Sequence, residues 1–242
     1  MSKFRTRIRD IGRAPGGMGF TAIARQERPR YVIVVAEAGS VEDARAAAEA
    51  GADAIIVPGI PSGLAQDSSI RVPVGVRFED ATRDEVAAAH EAGADFFVFD
   101  DGRTHAAALT VEEMGSVLLL GADQDEQRLR SVAAIDLDAV LVEAEADLIT
   151  VREQIELRRV AALTGAPILL RSVGRPDAAI LEAWRDAGAP AVLVPAADVA
   201  ATLEAARAVP APRRSAERRL PILGGPVREA DHDHDHEHED DD

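Results

Sequence analysis

The sequence predicts an α/β protein, a compact closed barrel of eight parallel strands ringed by helices, (βα)8, and three observations predict it. One phrase recurs, as EAGADAIIV at 49–57, EAGADFFVF at 91–99 and DAGAPAVLV at 186–194. Each copy is a helix end, a glycine, a short link and an apolar strand, and repetition of this kind reports architecture. Looser copies stand at 112–120, 134–142 and 163–171. The apolar runs are continuous rather than alternating, as in parallel strands buried on both faces. The spacing is even, about 22 residues per unit from 31 to 210, which accommodates eight lean units. An open doubly wound sheet alternates in the same way. Even spacing and the missing Gly-x-Gly-x-x-Gly turn after the first strand favour closure.

In chain order, residues 1–30 read as a basic N-terminal arm, with a breaker at Pro15-Gly16-Gly17, a short helical piece ending near Arg25, and Met18 and Phe20 as anchors. The barrel spans 31–210. Strands are expected at 31–37, 54–59, 72–78, 96–100, 116–121, 139–144, 167–172 and 191–195. Ser40 with Asp43, Thr82 with Glu85 and Thr150 with Glu153 have capping-box spacing and place helix starts. Helices follow over 41–50, 82–92, 124–134, 150–163, from near Pro176 to Ala187, and 198–208. A Pro/Gly/Ser loop stands where the second helix belongs, and one or two short helices follow strand four. Pro210, Pro212 and a basic linker (211–228) leave the domain. Residues 229–242 form a low-complexity Asp/Glu/His tail of the kind that stays disordered. Strand starts and the end of the last helix share one face of a barrel, so both arms belong opposite the usual active face.

Composition excludes more than any motif includes. There is no cysteine, hence no disulfide, thiolate nucleophile or cysteine-ligated metal. The only lysine is Lys3. Arginine stays protonated and forms no Schiff base, so lysine-dependent aldolase chemistry is excluded from the body. The net charge of −16 divides into +6 over 1–30, −17 over 31–210, +4 over 211–228 and −9 over 229–242. An acidic body argues against nucleic acid as a partner, because that affinity rests on neutralising phosphates. No apolar run approaches the roughly 18–20 residues of a membrane span, and no signal-peptide pattern opens the chain. A cytoplasmic protein is expected, and a homo-oligomer stays open.

Barrel enzymes work at the C-terminal ends of their strands. Glu37, Arg77, Glu79, Asp100, Asp101, Asp123, Glu143, Glu145, Arg171 and Ser172 all stand there. Each alone reads as the first solvated residue of a loop. Together they predict a polar pocket, in which Arg77 and Arg171 clamp a small carboxylate- or phosphate-bearing metabolite. Glu37, Asp100 or Glu143 would act as general acid or base. A salt-bridged ring that plugs the mouth is the competing expectation. His90 and His105 read as structural and surface residues. No strand-end histidine cluster marks an embedded metal, although magnesium on carboxylates stays open. His232, His234, His236 and His238 alternate with carboxylates in the tail and form a candidate chelator for a divalent transition metal of low selectivity.

The segment RSVGRPDAAILEAWRDAGAPAVLVPA (171–196) resembles the last two units of the phosphate-binding TIM-barrel enzymes, the group of indole-glycerol-phosphate synthase and thiamine-phosphate synthase. Ser172, Gly174, Asp177, Gly188 and the AVLV of 191–194 carry the resemblance. It implies that backbone N–H groups after strands seven and eight hold a phosphate, with Ser172 and Gly174 in the first loop. Glu37 falls near the family's first-strand glutamate. Val173 replaces a second loop glycine, Pro195 replaces the glycine after strand eight, and the synthase's catalytic lysines have no counterpart.

Two classes of function follow. One is an enzyme using acid–base chemistry of lyase or isomerase type on a small anion, with an FMN-binding oxidoreductase as a variant. The other is a non-catalytic barrel serving as an interaction or metal-handling module. Mutually paired Arg and Glu side chains filling the mouth favour the second class. An open pocket with room for an anion favours the first.

Overall fold

A computed structural model describes residues 1–11, 29–59, 69–121, 124–144 and 149–212. Eight parallel strands close into a barrel in sequence order: β1 (Ile33–Glu37), β2 (Ala54–Pro58), β3 (Val74–Arg77), β4 (Phe96–Phe99), β5 (Gly115–Leu119), β6 (Ala139–Glu143), β7 (Ile168–Arg171) and β8 (Ala191–Pro195), with β8 pairing back on β1. The expected (βα)8 TIM barrel is therefore present. Around it lie α2 (Val41–Ala50), α3 (Arg83–Glu91), α4 (Glu126–Val132), α5 (Val151–Thr164), α6 (Ala178–Asp186) and α7 (Val199–Ala208), while α1 (Lys3–Asp10) precedes the first strand. A 3-10 turn over Ala106–Thr110 takes the helix position after β4. The Pro/Gly/Ser loop at 60–68, the breaker and anchors between 12 and 28, and the tail lie outside the described residues.

Local chemistry explains the elements. Thr82 and Thr150 each accept from the backbone of the glutamate three residues on, and Glu85 and Glu153 return the bond, so both capping boxes form. At Ser40 the N-cap forms, but its hydroxyl donates to the Asp43 carboxylate at 2.8 Å. Gly51 and Gly165 end α2 and α5 in the left-handed conformation that glycine adopts without steric cost.

Side chains alternate along every strand and divide the core in two. Outward residues such as Val34, Ile55, Val76, Phe97, Val140, Leu170 and Val192 pack beneath the helices. Inward residues, among them Val35, Ile56, Phe96, Val98, Leu141, Leu169 and Leu193, fill the barrel. Gly75 on β3 makes room for one of them: a Cβ there would lie 2.2 Å from the Phe96 ring. A glycine inside a strand commonly marks such a close approach.

The N-terminal face of the barrel is closed by α1. Phe4 and Ile8 are buried with the inward residues, and the Phe4 ring stacks on Phe96 with centroids 4.3 Å apart. Burying a side chain of this size contributes about 1.5–3 kcal/mol. So the first eleven residues, expected within a basic arm, include a docked helix, and Phe4 and Ile8 anchor it.

Three aspartates hold that helix, each immediately before an even-numbered strand: Asp53 before β2, Asp95 before β4 and Asp138 before β6. The Lys3 and Phe4 N–H groups donate to the two oxygens of Asp95 at 2.9 and 2.8 Å. Ser2, the N-cap of α1, donates its hydroxyl to Asp138, whose other oxygen accepts from Arg5 Nε at 2.5 Å. Arg5 also pairs with Asp136 at 2.8 Å. Asp53 accepts from the Val34 N–H and from Arg30, and Arg7 stands 3.5 Å away. Burial pushes the Asp138 carboxyl above the usual carboxylate range against the pull of Ser2 and Arg5, whereas the hydrogen bonds from Arg5 hold Asp136 below it.

Candidate functional site

Glu37, Arg77, Glu143 and Arg171 are the last residues of β1, β3, β6 and β7, and all four have the parity of the inward-facing set. Barrel closure brings them to one rim. Glu143 and Arg171 are register partners on adjacent strands. Glu37 lies two strands from Arg171 on one side and two strands from Arg77 on the other. The intervening strands end in Pro195 and Pro58, in register with Glu37 and Arg77 respectively. A proline has no long side chain, so both arginines can extend over these positions. Pro195, which departs from the glycine expected after strand eight, thus has a place in the rim.

The four side chains form one charge network with two cations and two anions. Arg171 donates to Glu37 at 2.7 Å and to Glu143 at 3.0 Å. Arg77 approaches Glu37 at 3.6 Å and, across the mouth, Glu143 at 3.9 Å. The two arginines are bound differently. Arg171 is hydrogen-bonded at both ends; burial works to lower its pKa, and the bonds and charges of Glu37 and Glu143 outweigh that and raise it. Among the described residues, Arg77 is held by charge alone, beyond hydrogen-bond reach, with its side chain 32 % exposed.

The remaining candidates lie apart from this network. Asp100 is one residue past the end of β4, in a turn where its carboxylate accepts the Gly102 N–H at 2.7 Å. That local bond is why it does not join the ring. Asp101 is taken by Arg128, at 2.7 and 2.9 Å. The Ser172 hydroxyl donates to the Gly174 carbonyl at 3.0 Å and accepts from the Gly174 N–H at 3.3 Å. The loop after β7 therefore spends one of its N–H groups internally, and Pro195 supplies none after β8. Arg175 pairs with Asp198 and ties the two loops together. Asp123, Glu145 and the tail histidines His232, His234, His236 and His238 lie outside the described residues.

Among the described residues, no group of three or more histidines or carboxylates is placed to hold a metal ion. None of their helices is long and apolar enough to cross a membrane. A cavity of about 240 Å³ lies next to Glu143 on the outer side of β6 and β7, floored by Val142, Leu157, Val160 and Leu170.

No family model matches the sequence, and no curated protein does. The fold has many solved counterparts. Dihydropteroate synthase from Xanthomonas albilineans, in complex with 7,8-dihydropteroate, is 18 % identical, with a TM-score of 0.53 over 74 % of this chain and 94 % of that one. The Yersinia pestis enzyme is 16 % identical, with a TM-score of 0.53 over 73 % and 90 %. The Xanthomonas enzyme with 4-aminobenzoic acid gives 18 %, 0.53, 74 % and 94 %. At such identities the likeness is one of fold: these are TIM barrels, and the finer resemblance to the indole-glycerol-phosphate synthase group gains no support from them.

Proposed function

We propose that the C-terminal mouth of this barrel receives a small carboxylate- or phosphate-bearing metabolite between Arg77 and Arg171, and that the barrel acts on it by acid–base chemistry of lyase or isomerase type. The observation that carries the reading is Arg77. Its side chain is 32 % exposed and its fork of donors is unspent on hydrogen bonds among the described residues, and such a fork matches a carboxylate or phosphate. An anion bound there would displace the weakest contact of the ring, the 3.9 Å approach to Glu143, whose side chain is 53 % exposed. Glu143, parted from Arg77 but still bonded to Arg171 at 3.0 Å, would then stand next to the ligand as general base, with Glu37 also on Arg171 to fix its position. Asp100, held in its own turn, is a weaker candidate. One of the solved neighbours is a complex with 4-aminobenzoic acid, a carboxylate of this size.

The second reading, a barrel without catalysis, also rests on an observation: the ring is neutral, and all four members are mutually paired. Arg77→Ala and Arg171→Ala distinguish the two. In the first reading each substitution weakens the binding of a carboxylate or phosphate ligand, followed by calorimetry over a panel of small metabolites, at least tenfold. Unchanged affinity in both variants, or no ligand from the panel, leaves the ring as a plug. The FMN variant gains least, since the Gly174 N–H is spent on Ser172 and Pro195 has none, and absorbance at about 450 nm decides it.

A further inference from the structure

We infer that the floor of the barrel is a peptide-binding site, and that residues Met1–Asp10 occupy it as a ligand tethered to the barrel rather than as an integral part of its fold. The contacts are those of a recognition site. Asp95 takes the first two N–H groups of an incoming helix on its two oxygens. Asp138 takes the hydroxyl of the N-cap residue and the guanidinium of the third helical residue. Phe96, seated in the space that Gly75 leaves, stacks on the aromatic ring of the second. Gly115 leaves room for the N-cap itself: a Cβ there would lie 2.2 Å from Asp138 Oδ2 and 2.7 Å from Ser2 Cβ.

Each specificity element of the site thus belongs to the barrel, and each group it reads belongs to one short segment: the Ser2 hydroxyl, the Lys3 and Phe4 amides, the Phe4 ring and the Arg5 guanidinium. Helix α1 has eight residues, below the length at which an isolated helix holds together in water. Its first two N–H groups, those of Lys3 and Phe4, are accepted by Asp95 of the barrel, 92 and 91 residues away. The helix is therefore formed on docking. It is joined to the first strand by the 22 residues between Asp10 and Ile33, and covalent linkage raises a ligand's effective concentration without adding a contact. The matching occupant is a helix N-terminus with a hydroxyl N-cap, an aromatic at the second helical position and an arginine at the third, supplied by residues 1–10 of the same chain.

The test cuts the tether and leaves the contacts. A thrombin sequence is inserted after Gly16 in the full chain, and the folded protein is cleaved and passed through gel filtration at about 1 µM. We expect the N-terminal fragment to co-elute with the barrel and then to be displaced by excess labelled peptide of residues 1–11. A peptide carrying Phe4→Ala should compete at least about 100-fold more weakly, and one carrying Ser2→Ala about tenfold more weakly. Loss of the fragment on cleavage, unfolding of the cleaved barrel, or equal competition by the Phe4→Ala peptide would each overturn the inference. The reading of the mouth as an anion site is independent of this outcome, since these variants touch no residue of the ring.

Discussion

Gly115→Ala is the sharpest test of how the barrel floor is built. The added Cβ would sit 2.2 Å from Asp138 Oδ2, 2.7 Å from Ser2 Cβ and 2.8 Å from Ser2 Oγ. Asp138 cannot retreat freely, since its other oxygen holds Arg5 and its backbone N–H is bonded to Ser116 at 2.8 Å. Ser2 must move by about 1 Å, and the cap of α1 goes with it. Overpacking of a tight site costs about 1–3 kcal/mol, and loss of a serine N-cap about 1 kcal/mol more. The sum, about 2–4 kcal/mol, has a ceiling: it cannot exceed the docking free energy of α1, because the helix can leave instead. For a chain of this size about 3 kcal/mol lowers Tm by about 6–12 °C. Gly121→Ala is the control, two residues beyond the other end of the same strand, where a Cβ meets nothing within 4 Å. Both are followed by thermal melts monitored by circular dichroism and by hydrogen exchange of the α1 amides. A Gly115→Ala protein melting within about 1 °C of the parent, with α1 still protected, would refute the packing argument.

Other expectations follow from the same geometry. The folded-state pKa of Asp138 is raised by burial, so its contribution to stability is greatest in acid and is lost as pH rises through that folded value. The stability of the parent relative to Asp138→Asn should therefore fall as pH rises from the ordinary aspartate value of 3.8 through the raised folded value in denaturant titrations, and a rise would contradict the assignment. Glu85 and Glu153 are held below the usual range by hydrogen bonds with Thr82 and Thr150. Their contribution is present at neutral pH and lost as pH falls through their folded values, so the double variant Glu85→Gln/Glu153→Gln should show a shallower acid limb, and an identical one would remove the caps from the account. Deleting 229–242 should abolish nickel or zinc binding measured by calorimetry, and affinity that survives the deletion would place the metal elsewhere than His232, His234, His236 and His238.

Much of the architecture was legible because it is periodic. Strand eight was expected at 191–195 and lies there, helix 41–50 likewise, and strand one begins at Ile33 rather than Tyr31. The rim was legible for a related reason. A charged residue ending an apolar run of known parity has one place to go in a closed barrel, and Glu37, Arg77, Glu143 and Arg171 went there. Asp100 did not, because it follows the last strand residue and a turn captured its carboxylate, a preference of aspartate that outweighs its position. The floor was the larger surprise, although its signal was in plain view. The repeated phrase that indicated the fold carries Asp53 and Asp95 directly before the apolar run, and DLDAVLV at 136–142 carries Asp138. They read as link residues because their partners, Ser2 to Arg5, looked like a charged arm.

The sequence by itself determined the alternation of strand and helix and the helix caps, favoured closure over an open sheet, and put Glu37, Arg77, Glu143 and Arg171 among ten strand-end candidates, since each depends on neighbours within a few residues or on a repeat. Only the tertiary structure decided that Ser2 meets Asp138, 136 positions away, that Phe4 enters the barrel against Phe96, and that two prolines let the arginines reach Glu37. Those contacts exist only once the ring has closed, because closure alone carries residues so distant along the chain to one end of the barrel, and periodicity holds no record of which of them will meet.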